Sequence, residues 1–201
     1  MTTKGISHVK KKENQRIKLT KTLLKNSLIE LMHTKSINKI TVKELCENAD
    51  INRSTFYLSY TDQFALLKEI EEELLLNARE HLKKIDSDLN NLHYLKELLY
   101  YMKANSDIFY TLLCRQENMS FQTAFINTSI GNLKINLNLQ CDEKTSNYIY
   151  RYVTMGCLSL ITKWFEAGFD MSPEELAEMI FRLSDNAVSI YDDNKVFFSK
   201  K

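Results

Sequence analysis

Proline occurs once in the 201 residues and glycine four times. Hairpins, tight turns and strand punctuation lean on those two residue types, so their scarcity argues against a β-rich chain. With Leu, Lys, Glu and Ile abundant, it predicts an all-α protein. No apolar run approaches the ~18 residues that a membrane span requires. The basic N-terminus is not followed by an apolar stretch, so no secretory signal is expected and the expected compartment is the cytoplasm. The four cysteines (Cys46, Cys114, Cys141 and Cys157) form no C-x-x-C pair and are read as reduced packing residues. Thiol chemistry at Cys114 or Cys157 would require a lowered pKa. His8, His33, His81 and His93 lack the spacing of a zinc site. Neither a Gly-rich phosphate loop nor a G-x-S-x-G elbow occurs. An enzyme is therefore not expected, nor are a catalytic residue, a metal or a cofactor.

What is present is a charge asymmetry. The formal net charge is only +1, yet residues 1–60 hold 12 Lys and Arg against 5 Asp and Glu, a net of +7; the remainder holds 15 against 21, a net of −6. A basic end on a mildly acidic body fits either a polyanion partner for that end or a solvated charged tail.

Apolar periodicity places the helices. Residues 1–13 read as a flexible basic arm ending in Lys10, Lys11 and Lys12. From about Arg16, the residues Ile17, Leu24, Leu28, Leu31 and Met32 recur at helical steps. Thr41 and Glu44 have the form of a capping box opening a short helix to Ala49. Asp50 is a turn residue, and Asn52 can cap a third helix on which Phe56 and Tyr60 share one face. Two short helices joined by a tight turn behind a longer one form a helix-turn-helix pattern. A long amphipathic helix follows over 62–84, then helices at 92–104, 107–115, 120–136, 142–167 and 172–191. Ser172, Pro173 and Glu175 make a second capping box, and Gly168 is placed to end the preceding helix. The expected organisation is an arm at 1–13, a helix-turn-helix unit at 14–61 and a helical body at 62–201.

The stretch TVKELCENADINRSTFYLSY at 41–60, followed by TDQFALL at 61–67, closely resembles the DNA-binding segment of TetR-family regulators. The likeness covers about 50 residues in register with the preceding helix. It implies a homodimer on double-stranded, palindromic operator DNA, with Thr41 and Tyr57 on phosphates. An α-helix that enters the major groove needs small or hydrogen-bonding side chains on its outer face. Helical geometry turns Phe56 and Tyr60 inward and Ser54, Thr55, Leu58 and Ser59 outward. Leu58 is either a thymine-methyl contact or a tolerated surface residue. Lys12, Arg16, Lys43, Asn52, Arg53 and Gln63 complete the candidate DNA contacts, with Lys12 and Arg16 suited to less ordered phosphate or minor-groove contacts.

Two positions depart from the family pattern. Asp50 stands where the turn usually has Gly, and Gln63 stands where a Lys is common. Gln can hydrogen-bond a phosphate but releases no counterion. Both departures lend some weight to another reading, a TetR-like subunit that acts on a protein partner.

The segment WFEAGFDMSPEE at 164–175 resembles a C-terminal variant of the same family. The resemblance implies that the helices at 142–167 and 172–191 form the dimer interface. Their stripes would be Ile149, Val153, Leu160 and Ile161 on one, and Ile180, Leu183, Ala187 and Ile190 on the other; some of these must face the monomer's own core. The aromatic middle, with Tyr101, Phe109, Tyr110, Phe125 and later Trp164, fits either a cavity for a small hydrophobic effector or plain core.

Overall fold

The computed structural model describes residues 3–84, 91–114, 119–136, 139–189 and 191; the side chains of 3–14, 83, 84, 91, 119 and 132–136 are outside that description. Every regular element among them is helical: α1 Thr3–Met32, α2 Val42–Asn48, α3 Arg53–Tyr57, α4 Gln63–Lys84, α5 Asn91–Ala104, α6 Ser106–Phe109, α7 Met119–Asn136, α8 Glu143–Glu166 and α9 Pro173–Val188. α6 runs directly into a π-helical turn, Tyr110–Cys114. Among the described residues, no helix is long and apolar enough to cross a membrane.

The chain divides into two compact units, Met1–Glu72 and Glu73–Lys201. The break falls inside α4 and not at its start, where the sequence placed it. The reason is that Leu66, Leu67 and Ile70 of α4 are buried in the first unit's core. The segment read as a flexible arm is also different, because its backbone is helical from Thr3.

In the first unit, Leu24 and Leu28 of α1, Leu45 of α2, Phe56 of α3 and Leu66 of α4 are all fully buried. Ile17, expected on this stripe, is exposed, as is Phe64. Polar contacts fix α2 on α1 as well. The buried Ser27 hydroxyl donates to the Leu45 carbonyl (2.9 Å), and the Asn48 amide donates to Ser27 Oγ (3.1 Å) and to Glu30 (3.0 Å).

In the second unit, α5 packs on α9, and α8 packs on α7, α9 and the π-helical turn. The α8–α9 corner is a Schellman motif: the Gly168 N–H donates to the Phe165 carbonyl (3.1 Å) and the Phe169 N–H to the Trp164 carbonyl (3.0 Å). Gly168 and Phe169 both take positive φ, at 67° and 65°. The Trp164 and Phe169 rings supply the apolar contact of that motif, with centroids 4.8 Å apart. The Ser172 capping box is complete, with Glu175 bonding back to the Ser172 backbone at 2.7 Å.

Candidate nucleic-acid interface

Thr41 is the N-cap of α2, and its hydroxyl oxygen accepts from the Glu44 N–H at 3.2 Å. The expected box is only half formed, because the Glu44 carboxylate pairs instead with the Lys35 ammonium. Having accepted that bond, the exposed Thr41 hydroxyl keeps its own hydrogen to donate outward.

α2 ends as α8 does. The Asp50 N–H donates to the Glu47 carbonyl (3.3 Å), and the Ile51 N–H donates to the Cys46 carbonyl (2.9 Å). Asp50 occupies the left-handed position at φ 53°. The helix-turn-helix is thus turned by a Schellman motif with an aspartate where glycine is cheapest. Asp50 also places a negative charge at the negative end of α2, beside Lys43, Glu47 and Arg53 in the cleft between α2 and α3. Asp50→Gly should therefore raise stability by about 1 kcal/mol. Asp50→Asn, which keeps the left-handed geometry and loses the charge, should give only part of that gain. Urea midpoints measure both, and an unchanged midpoint for Asp50→Gly would refute the strain.

α3 begins after Asn52, which sits in extended geometry but makes no side-chain cap; the turn closes through backbone, with the Thr55 and Phe56 N–H groups donating to the Asn52 carbonyl. Phe56 is fully buried and Tyr60 is 5% exposed, with ring centroids 5.6 Å apart. Tyr57 packs edge-on against Phe56 and remains half exposed, so its hydroxyl is available at the surface. On the outer face Asn52, Arg53, Ser54, Leu58 and Ser59 are exposed and Thr55 is partly buried. Leu58, which caps α3, is 85% exposed, the most of any large apolar side chain described.

Arg16 is exposed on α1, and the Lys12 side chain lies outside the described residues. Lys43 faces Glu47 at 3.8 Å, a solvent-screened pair of little strength. Gln63, partly buried, is the first residue of α4, whose start is capped by Asp62 accepting from the Ala65 N–H at 2.8 Å. Lys39 is exposed two positions before Thr41, in the short connection that precedes α2.

The five aromatic candidates of the second unit fall into separate groups. Tyr101 stacks on His81 (5.2 Å) and meets Phe109 edge-on (5.6 Å), while its hydroxyl accepts from the Asn77 amide at 3.1 Å. Phe125 is buried beside Phe121, and Tyr110 is partly exposed. Trp164 belongs to the α8–α9 corner. Its indole N–H donates to the Met171 carbonyl (2.8 Å), and Lys103 lies 5.8 Å above its ring. As for the thiols, burial pushes Cys114 up to about 11, with the Glu166 charge adding to it, and burial also raises Cys157. Neither is poised as a nucleophile.

The apolar stripes expected for a dimer are largely internal. Val153, Ile161 and Ile180 are buried within the unit, Ile149, Leu160 and Ala187 are partly buried, and Ile190 lies outside the described residues. Leu183 alone of that set is well exposed. The large apolar side chains that these two helices leave exposed are Tyr148, Tyr152 and Met155 on α8 and Met179 and Leu183 on α9. α8 is apolar on two sides, and periodicity does not tell the inward stripe from the outward one.

Residues 90–186 match a TetR-type family profile described as a transcriptional regulator C-terminal region. An uncharacterized HTH-type transcriptional regulator of Bacillus subtilis, YxbF, is 23% identical over 166 residues, which is 80% of this chain and 43% of that protein. The chain thus spans less than half the length of this curated relative. Among solved structures, a TetR transcriptional regulator from Streptococcus agalactiae aligns with a TM-score of 0.64 at 23% identity, over 86% of this chain and 97% of that one. NalD, the secondary repressor of the MexAB-OprM multidrug efflux pump in Pseudomonas aeruginosa, aligns at 0.61 and 16% identity, over 87% and 97%. The dihydroxyacetone kinase operon activator DhaS aligns at 0.56 and 21% identity, over 87% and 98%. These structures share the fold of the chain.

Proposed function

We propose that the chain is a TetR-family transcription regulator that reads a palindromic operator as a homodimer, placing one α3 in each of two major grooves. The observation that carries this is the outer face of the turn and α3. It is small-residued and uncharged at Ser54, Thr55 and Ser59, with Leu58 projecting at 85% exposure above a Phe56–Tyr60 base. Leu58 and Thr55 set base preference in this reading, and Arg53, Asn52 and Lys43 lie where phosphates flank the groove.

Thr41 and Tyr57 are phosphate grips. Thr41→Ala and Tyr57→Phe should each weaken binding by about 0.5–3 kcal/mol without altering sequence preference. The check is to select bound duplexes from random DNA and titrate both folded variants on the winner. A variant that keeps wild-type affinity loses its assignment. The site logos of Leu58→Arg and Thr55→Ala test base reading in the same experiment.

Two copies of the Tyr148–Tyr152–Met155 and Met179–Leu183 face form the dimer contact. Gly156 lies among them with open space at its Cβ position, which lets a partner helix come close. We read the protein as a repressor, the role that NalD has toward its efflux pump. A small hydrophobic effector releases it by favouring a DNA-incompetent state, acting near Tyr101, Phe109 and Phe125.

A further inference from the structure

Inside the first unit, one carboxylate of α4 collects three donors from two other segments. Glu69 Oε2 receives the Lys21 ammonium at 2.9 Å; Oε1 receives Lys25 at 2.9 Å and the Tyr60 hydroxyl at 3.1 Å. The Lys21 ammonium also sits 5.2 Å over the Tyr60 ring. The cluster is partly screened from solvent, with side-chain exposures of 34% for Lys21, 18% for Lys25 and 29% for Glu69. Burial alone would raise the Glu69 pKa, yet hydrogen bonds from Lys25 and Lys21, the Lys25 charge and the Tyr60 hydroxyl outweigh it and hold the carboxyl at about 2. It is ionised under any working condition.

The three donors matter for where they stand. Lys21 and Lys25 are one turn apart on α1. Tyr60 directly follows the recognition segment, and its ring leans on Phe56, the one buried side chain of α3. Apolar packing gathers the helices but is non-directional. A charge with three donors in fixed positions is directional and specifies an angle. Charge assignment matters too, because two of the lysines that make this unit basic are held on an internal partner.

We infer that Glu69 is a positioning residue for DNA reading, which fixes α3, through Tyr60 and Phe56, at one angle to α1 and α4 while holding Lys21 and Lys25 away from phosphate. This rests on the operator-reading function proposed above. Loss of the Glu69 charge leaves the apolar core in place, tilts α3 off its base contacts and frees two cations. Specific binding therefore falls, while non-specific binding holds or rises.

The experiment compares Glu69→Gln, Tyr60→Phe and wild type on two labelled duplexes: the winner of a random-pool selection by the wild type, and a scrambled duplex of equal length. Each is titrated over a range of salt. The expected result is at least a tenfold drop in the selected-to-scrambled affinity ratio for Glu69→Gln. Scrambled binding should be unchanged or tighter and steeper in salt, and Tyr60→Phe should move the ratio the same way by less. Partial unfolding would weaken both duplexes together, and that outcome, like an unchanged ratio, overturns the proposal. If Glu69→Gln does not fold, Tyr60→Phe and Lys21→Met decide on the same ratio. A wild type that prefers no duplex defeats the operator reading and this inference with it. A wild type with a clear preference and variants that share it defeats the inference alone.

Discussion

Leu183→Glu is expected to turn the protein into a monomer and to cut affinity for its selected duplex by roughly four orders of magnitude. Leu183 is 55% exposed on α9, so a lone chain accommodates the carboxylate at little cost. In a two-fold interface each residue meets a symmetric environment, so the substitution enters twice. Burying two unpaired carboxylates costs several kcal/mol, enough to defeat a contact made by the five exposed apolar side chains of α8 and α9. The DNA consequence follows from arithmetic. A nanomolar complex corresponds to about 12 kcal/mol shared by two half-sites, and a single half-site retaining about half of that binds only in the tens of micromolar. Light scattering and a gel shift on one preparation measure both effects. A Leu183→Glu protein that stays dimeric would move the interface off α9, and a monomer with full affinity would show that one recognition unit suffices.

The second large effect concerns the corner between those helices. Trp164→Ala should lower the unfolding free energy of the second unit by about 3–5 kcal/mol, a large share of the 5–15 kcal/mol that a domain commonly holds. Trp164 is 2% exposed, its ring meets Phe165 and Phe169 edge-on, and its N–H satisfies the Met171 carbonyl. Truncation removes a core ring, leaves that carbonyl unpaired and takes away the apolar partner that holds Phe169 at positive φ. Trp164→Phe should recover most of the packing and leave a deficit of about 1–3 kcal/mol for the unpaired carbonyl. Urea unfolding followed by far-UV circular dichroism separates the two. A loss under 1 kcal/mol for Trp164→Ala would release Trp164 from this structural duty and strengthen its candidacy as an effector contact.

The fold was legible because it rests on local chemistry. Helix periods, the Ser172–Pro173–Glu175 start and the Gly168 stop all act within a few residues of themselves, and the structure reproduces each of them. Asp50 was readable for the same reason, since the need for a left-handed residue is local. What sequence misjudged depended on distant partners. Glu44 lost its role in the capping box to Lys35, nine positions away. The Glu69 cluster joins residues separated by up to 48 positions, and no pattern along the chain announces it. On α8, Val153 and Ile161 of the expected stripe turned out to be buried in the unit itself, because a helix apolar on two faces gives one periodicity for both. The π-helical turn after α6 left no mark in the sequence, where 107–115 reads as an ordinary short helix.

Trp164 is the chain's only tryptophan, and it lies wholly within Glu73–Lys201. The first unit has Tyr57 and Tyr60 as its only tyrosines, which makes the protein optically two-coloured. Emission excited at the red edge of the absorption band reports the second unit alone, whereas backbone dichroism sums both. Denaturation curves from the two signals coincide only if the units melt as one cooperative body. If they separate, subtracting the tryptophan-reported transition from the dichroism leaves the transition of the first unit, without a label or a truncation.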